Sequence, residues 1–302
     1  MTGNIRVSDG GMSRELVRLG ARLVQPEWSA LALMESPEIV RQVHAEFIGA
    51  GADVITTNSY ALVPFHIGDD RFRDQGPALI ALSGELARQA ADAFTDREVK
   101  VCGSLPPIFG SYEPDNFDPA RVQDYLSVLV ENLEPHVDIW LGETLSLIAE
   151  AEAVQTAVQA SGKPLWISFT LADGAAASSS EPVLRSGESV AAAAQWAAEA
   201  GIEALLFNCS QPQVMEAAVR TAAKTFSDRN ADVEIGVYAN AFEQKTDTAK
   251  ANEGLSKIRS DLDGDGYLHY ARDWVAAGAT LVGGCCGIGV DQIRKLATDL
   301  KA

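Results

Sequence analysis

The sequence predicts a single (β/α)8 barrel, a TIM-type α/β fold spanning residues 1–302, on three observations. Short β-branched runs alternate with Ala- and Leu-rich helical stretches, and the alternation repeats eight times along the chain. The 302 residues exceed an ordinary domain, yet a barrel of this kind runs to about 250 residues as one unit. Strands separated by helices pair in parallel, and eight of them suit a closed barrel; a doubly wound open sheet gives no reason to stop at eight.

The first strand falls near Arg6–Asp9, ahead of Gly10 and Gly11 and a helix from Met12 to Leu19. A helix over Pro37–Gly49 follows, with Ile39, Val40, Val43 and Phe47 at helical spacing, and it leads into the second strand near Asp53–Asn58. The third, fourth and fifth strands fall near Val99–Ser104, Val137–Glu143 and Pro164–Leu171. Asp173–Gly187, with Ala175–Ala177 and Ser178–Ser180, is small and polar and reads as a flexible loop. Beyond it, Ser189–Ala200 is an alanine-rich helix, and the sixth and seventh strands lie near Ala204–Asn208 and Glu234–Ala239. Gln244–Tyr267 is a long polar excursion before the eighth strand near Ala279–Gly283. Both irregular segments follow strands, on the rim where barrel enzymes build substrate sites.

Composition narrows the function. A net charge of −18, from 42 acidic against 24 basic side chains, repels phosphate backbones and anionic membrane surfaces, so neither nucleic acid nor membrane is an expected partner. The N-terminal residues carry no apolar leader core and no apolar run approaches a membrane span, which points to a cytoplasmic protein. In that compartment four cysteines indicate metal or catalytic use over a disulfide framework. Cys102 sits inside the third strand and reads as a core thiol. No P-loop or Gly-x-Gly-x-x-Gly fingerprint is present, and the four histidines lie apart. Asp261 to Gly266 opens like a calcium loop, but Arg272 stands at its twelfth position where a bidentate Glu is required.

Placed on the strand map, Asp9, Asn58, Glu143, Asn208, Cys209, Cys285 and Cys286 all fall at or just past strand C-termini and converge on one mouth. Three thiolates there, with one coordination position open, make a catalytic zinc site; a fourth protein ligand would close it as a structural one. Gly283-Gly284-Cys285-Cys286-Gly287 lets two successive side chains turn toward one ion. An all-sulfur ligand set suits alkyl transfer to a thiol better than water activation.

These residues give the chain a resemblance to the homocysteine S-methyltransferase family along nearly its whole length. Its marks are Asp9-Gly10-Gly11-Met12, Trp28, Val43-His44 through Ala52-Asp53, Thr56 to Tyr60, Gly103-Ser104, Gly142-Glu143-Thr144, Asn208-Cys209 and Gly283 to Gly287. The resemblance implies that Cys209, Cys285 and Cys286 hold Zn2+ and act on the homocysteine sulfur. It further implies that Asp9 and Glu143 hold the substrate ammonium, while the backbone at Gly10 and Gly11 receives its carboxylate. A helix cap for Asp9 and a strand-end salt bridge for Glu143 are the structural alternatives. Asn208 is expected to fix the neighbouring ligand or to bond substrate. Trp28 and Tyr60 match aromatic positions near a cationic methyl donor, though either could be rim packing.

The implied reaction passes a methyl group from a small sulfonium, S-methylmethionine or S-adenosylmethionine, or from a betaine-type donor, to homocysteine or a related thiol or selenol. The expected partners are thus small molecules. Val237 to Phe242 occupies the place where stand-alone members commonly carry Tyr-Pro-Asn-Ser-Gly, which leaves the donor open. A non-catalytic thiol or metal sensor on the same fold is the competing reading.

Overall fold

The computed structural model describes residues 5–174, 181–242 and 257–301. The predicted runs Ala175–Ala177 and Ser178–Ser180, and residues 244–256 of the predicted polar excursion, lie outside the described residues. Eight parallel strands form the sheet: β1 (Arg6–Val7), β2 (Val54–Thr56), β3 (Lys100–Leu105), β4 (Ile139–Leu145), β5 (Leu165–Thr170), β6 (Ala204–Asn208), β7 (Glu234–Ala239) and β8 (Leu281–Gly284). From β2 to β8 each pairs with its sequence neighbour, and β8 pairs with β1 through Arg6 opposite Leu281 and Val7 opposite Val282. A parallel bridge of Ser8 with Val54, and the Asp9 N–H donating to Val54 O at 2.9 Å, bring β1 to β2 and close the barrel.

Strand periodicity decides which residues face the lumen. On β6, Leu205 and Phe207 pack outward against the helices, whereas Ala204 and Leu206 join the inner cluster with Val54, Cys102, Ile139, Leu141, Trp166, Tyr238 and Leu281. The same alternation carries Asn208 on β6 and Glu143 on β4 inward. Cys102 is a buried member of that inner cluster, as its place within the third strand suggested.

The helices follow their sequence signals. Pro37–Gly49 starts with Pro37 in its first turn and buries Val40, Val43, His44, Phe47 and Ile48, an i, i+3, i+4, i+7 stripe. Val190–Ala200 is capped by Ser189, whose side chain accepts from the Ala192 N–H at 3.1 Å, and ends at Gly201 in the left-handed region. The acidic Asp261–Gly266 turn is a helix start: Asp263 caps Gly264–Ala277 by accepting from the Gly266 N–H, while Asp261 and Asp265 pair with Arg259 and Lys295. The predicted excursion is therefore helical from Gly264 onward. Among the described residues, no helix is long and apolar enough to cross a membrane.

His44 is the costly residue of this core. Neither ring nitrogen has a hydrogen-bond partner, and burial lowers the imidazole pKa from an ordinary 6.5 to about 4. The fold thus holds His44 neutral while the unfolded chain takes up a proton below pH 6.5, so stability is present above that pH and lost as pH falls toward 4. Over that window the loss should be about 3 kcal/mol. His44→Leu is expected to be no less stable at neutral pH and to shift the acid unfolding midpoint downward. Urea titrations at several pH values check this; an unchanged acid limb would contradict it.

Candidate metal and amino acid site

The C-terminal mouth of the barrel opens into a cavity whose wall includes Asp9, Gly10, Gly11, Trp28, Tyr60, Glu143, Cys209, Cys285 and Cys286. The residues singled out on the strand map therefore meet in space, with one exception, Asn208, which is buried behind the wall.

Cys209 reaches the mouth against the strand rhythm. A continuing β6 would point it at the helix layer, but its φ of +49 is left-handed and turns the side chain back. Its N–H donates to Tyr238 O at 3.2 Å, so the turn is tied to β7. Cys285 and Cys286 follow β8; the Cys285 N–H donates to Ala239 O at 2.9 Å, and Cys286 O accepts from Ala241 N at 2.8 Å. Gly287 then takes a φ of +85, a conformation that disfavours side chains and lets both thiols face the same point.

The three sulfurs lie within 4.8 Å of one another, and among the described residues they are the only group of three or more His, Cys, Asp or Glu side chains close enough together to share a metal ion. The Cys209–Cys286 and Cys285–Cys286 separations are 3.8 and 3.9 Å. Those values match the edge of a zinc–thiolate tetrahedron, about 3.8 Å for bonds of about 2.3 Å. Cys285 lies closer to Cys209, at 2.8 Å. Hydrogen bonds from Cys285 and Cys286, with the Tyr112 hydroxyl also directed at it, hold the Cys209 thiol well below its ordinary pKa. Donation to Cys209 pushes the Cys285 and Cys286 thiols up. A divalent cation among the three sulfurs is what lets all of them ionise together. Soft sulfur donors in this arrangement fit zinc.

Asp9 does not cap the following helix, Met12–Arg18, whose N-cap is Gly11 with no side-chain bond. Its carboxylate instead accepts from the Thr56 N–H at 2.8 Å, and lies within 3.4 Å of Thr56 Oγ1. Glu143 accepts a short hydrogen bond from Ser104 Oγ, and no salt bridge to it is present among the described residues. The strand does not end there as the sequence suggested. It runs on to Leu145 through a register shift between Gly142 and Leu145, with Thr144 at φ +61; Glu143 keeps the inward alternation of Ile139 and Leu141, and the bulge turns Leu145 out to the helix layer.

Both carboxyls are raised, Asp9 to about 8 and Glu143 to about 7, chiefly because burial penalises the charged form. For Asp9 the Thr56 N–H opposes this and the Glu143 charge adds to it. Glu143 is opposed by Ser104 and raised further by Cys209. Two such groups in one low-dielectric pocket make a receptor for a cation.

Gly11 serves the packing of the mouth. A Cβ on Gly11 would lie 2.5 Å from Cys285 O, and the Gly11 N–H already donates to Ile288 O at 2.8 Å. Gly11 thus lets the first strand's exit pack against the loop that carries two cysteines. The next residues, Met12 and Ser13, line the cavity, and their N–H groups belong to the first turn of Met12–Arg18, which leaves them without intrahelical partners.

Asn208 spends its amide on protein. Its Oδ1 accepts from Ser168 Oγ at 2.8 Å and its Nδ2 donates to Thr144 Oγ1 at 2.7 Å, linking the Glu143 bulge to the residue before Cys209. Trp28, at φ +52, and Tyr60, whose hydroxyl lies 2.6 Å from Ser111 Oγ, form one aromatic wall. Tyr112 completes it. Its φ is +66, and the Arg185 guanidinium stands 4.9 Å over its ring. The sequence assigned no role to Tyr112, Ser104, Thr56 or Thr144; the last three stood only as marks of the family resemblance, and Tyr112 carried no signal beyond its place on a loop.

The family model described as homocysteine S-methyltransferase matches residues 6–300. Homocysteine S-methyltransferase 1 of Arabidopsis thaliana is 30% identical, over 99% of this chain and 94% of that one. Homocysteine S-methyltransferase YbgG of Bacillus subtilis is 30% identical over 96% of this chain and 93% of its own. Among solved structures, the metallated form of the Escherichia coli homocysteine methyltransferase MmuM superposes with a TM-score of 0.79 at 29% identity, covering 98% and 96% of the two chains. With its mouth of converging thiols and paired carboxylates, this chain is an enzyme of the homocysteine S-methyltransferase family.

Proposed function

We propose that the enzyme uses zinc, held by Cys209, Cys285 and Cys286, to move a methyl group from a small sulfonium or betaine-type donor to homocysteine, yielding methionine. The observation that carries this reading is the convergence of three sulfurs beside two buried carboxylates in one cavity. When bound, zinc supplies the Lewis acidity that keeps an acceptor thiol ionised at neutral pH.

The chain's own residues do the rest. Asp9 and Glu143 bind the acceptor's ammonium and orient it, each held in turn by Thr56 and Ser104. The N–H groups of Met12 and Ser13 receive its carboxylate, since the Gly11 N–H is occupied. Trp28, Tyr60 and Tyr112 present aromatic faces to a cationic donor; the acceptor sulfur forms a bond to the methyl carbon as the donor's S–CH3 or N–CH3 bond breaks, and the donor leaves with one positive charge fewer. Asn208 acts behind the wall, as a positioning residue for Glu143 and Cys209.

A panel of S-methylmethionine, S-adenosylmethionine and betaine, each supplied with homocysteine and zinc-replete enzyme, tests the reading. Methionine from at least one sulfonium or betaine donor is expected. No product from any of them would overturn it in favour of a sensor that holds metal without turnover.

Acidity should act on acceptor binding. Empty, the pocket keeps protons on Glu143 and Asp9 up to about pH 7 and about pH 8, and an entering ammonium must displace them. With metal saturating, KM for homocysteine should climb as pH falls below about 7, approaching tenfold per pH unit for one displaced proton. Steady-state kinetics across that range check this, and a flat KM would contradict it.

A further inference from the structure

Behind the sulfur cluster, on the helix Gly264–Ala277, lies a buried aromatic pair that touches neither the cavity nor the thiols. The Tyr267 hydroxyl lies 2.7 Å from Gly283 O, to which it donates, and 3.2 Å from Ala239 O. Ala239 O is the same carbonyl that receives the Cys285 N–H at 2.9 Å. One hydroxyl therefore grips the ends of β7 and β8 at the point where the Cys285-Cys286 loop leaves the sheet. Trp274, one ring away at 5.5 Å and edge-on, donates its Nε1–H to Pro212 O at 3.3 Å. Pro212 begins the helix Pro212–Arg229, three residues past Cys209. Both rings are completely buried.

We infer that Tyr267 and Trp274 are positioning residues for the metal: together they tether the two separate loops that carry its ligands and hold them at the spacing at which three sulfurs converge. This rests on the reading that the cysteines bind zinc. The physical reason is that Cys209 and Cys285 come from loops 76 positions apart, and their approach depends on how β6, β7 and β8 end. A strand end is where ladder hydrogen bonds run out, so side-chain donors must replace them. The Tyr267–Trp274 edge-to-face contact makes the two tethers one rigid body. Outer groups that orient ligands are typically worth 10- to 100-fold, that is about 10 to 100 in metal affinity.

The test uses the full-length protein and zinc itself. Tyr267→Phe keeps the ring and loses the grip on both carbonyls; Trp274→Phe keeps an aromatic and releases Pro212 O. Zinc affinity is measured by chelator competition at a temperature well below unfolding, with the melting temperature of the metal-free protein alongside. Binding to folded protein is insensitive to how far that fold lies from melting. A residue that merely fills space would thus lower the melting temperature and leave affinity unchanged. The expected result is a zinc affinity about tenfold or more weaker in Tyr267→Phe, smaller but measurable in Trp274→Phe. Cobalt(II) substitution should show an altered sulfur-to-metal charge-transfer band in both. Folded variants that bind zinc as tightly as the parent overturn the inference; should Tyr267→Phe not fold, Trp274→Phe decides. A parent protein that binds no zinc would instead defeat the underlying metal reading.

Discussion

Replacing Cys209, Cys285 or Cys286 by serine is expected to strip zinc from the protein and to reduce methyl transfer by more than about a hundredfold, since even outer groups around a metal are worth 10 to 100. The three thiols are not equivalent: hydrogen bonding with both neighbours lowers the Cys209 pKa and raises theirs, chiefly through Cys209. Cys209→Ser should accordingly be the most damaging, because it removes the sulfur around which the other two are arranged. The folded barrel should survive each change, since the sulfurs lie at the mouth and outside the outer hydrophobic core. Metal analysis and melting temperature, measured together, separate loss of metal from loss of fold. Full zinc content in all three variants would contradict the ligand assignment.

The second large effect is expected at Glu143, and it has two signs. Glu143→Gln keeps shape and the contact with Ser104 but removes a charge from the ammonium receptor. Charged hydrogen bonds are worth about 1.5–3 kcal/mol, so kcat/KM for homocysteine should fall by about 10- to 100-fold. Stability should move the other way. The Glu143 pKa is raised by burial from 4.5 to about 7, so its carboxyl favours folding below the unfolded value and loses that contribution as pH rises through about 7. The cost at pH 8 is of the order of 3 kcal/mol at most. Metal-free Glu143→Gln should therefore be more stable than its parent near pH 8, with the gap closing toward pH 5. Equal melting temperatures at both pH values would show that Glu143 bears no such strain, and with it would go the picture of a preorganised cation receptor.

Much of this was legible in the sequence because it rests on periodicity and on rare residues. Parallel barrel strands are short apolar runs, and β6 and β7 fall where the sequence predicted them. Cysteines in adjacent pairs are conspicuous, and the strand map alone explains how residues far apart in sequence share a mouth. Other features are silent in a sequence because they depend on backbone choices that many residues permit. The bulge after Gly142 extends β4 past its predicted end at Glu143 and turns Leu145 out of the alternation, and nothing in Gly-Glu-Thr announces it. The left-handed turns at Cys209, Tyr112 and Thr144 are of the same kind. Gly11 looked like a ready donor for a carboxylate, yet its N–H is spent on Ile288 O, a partner from the far end of the chain. Tyr267 sat within a stretch that read as polar excursion, and only the packed helix reveals its hydroxyl between two strand ends.

The central claim is that three sulfurs hold a metal with one position left for the acceptor. X-ray absorption at the zinc edge of the purified enzyme, recorded with and without homocysteine, tests it most directly. The account predicts three sulfur neighbours at about 2.3 Å in the free enzyme and four when homocysteine is present. A free enzyme with fewer than three sulfur neighbours, or a sulfur count that homocysteine leaves unchanged, would contradict it.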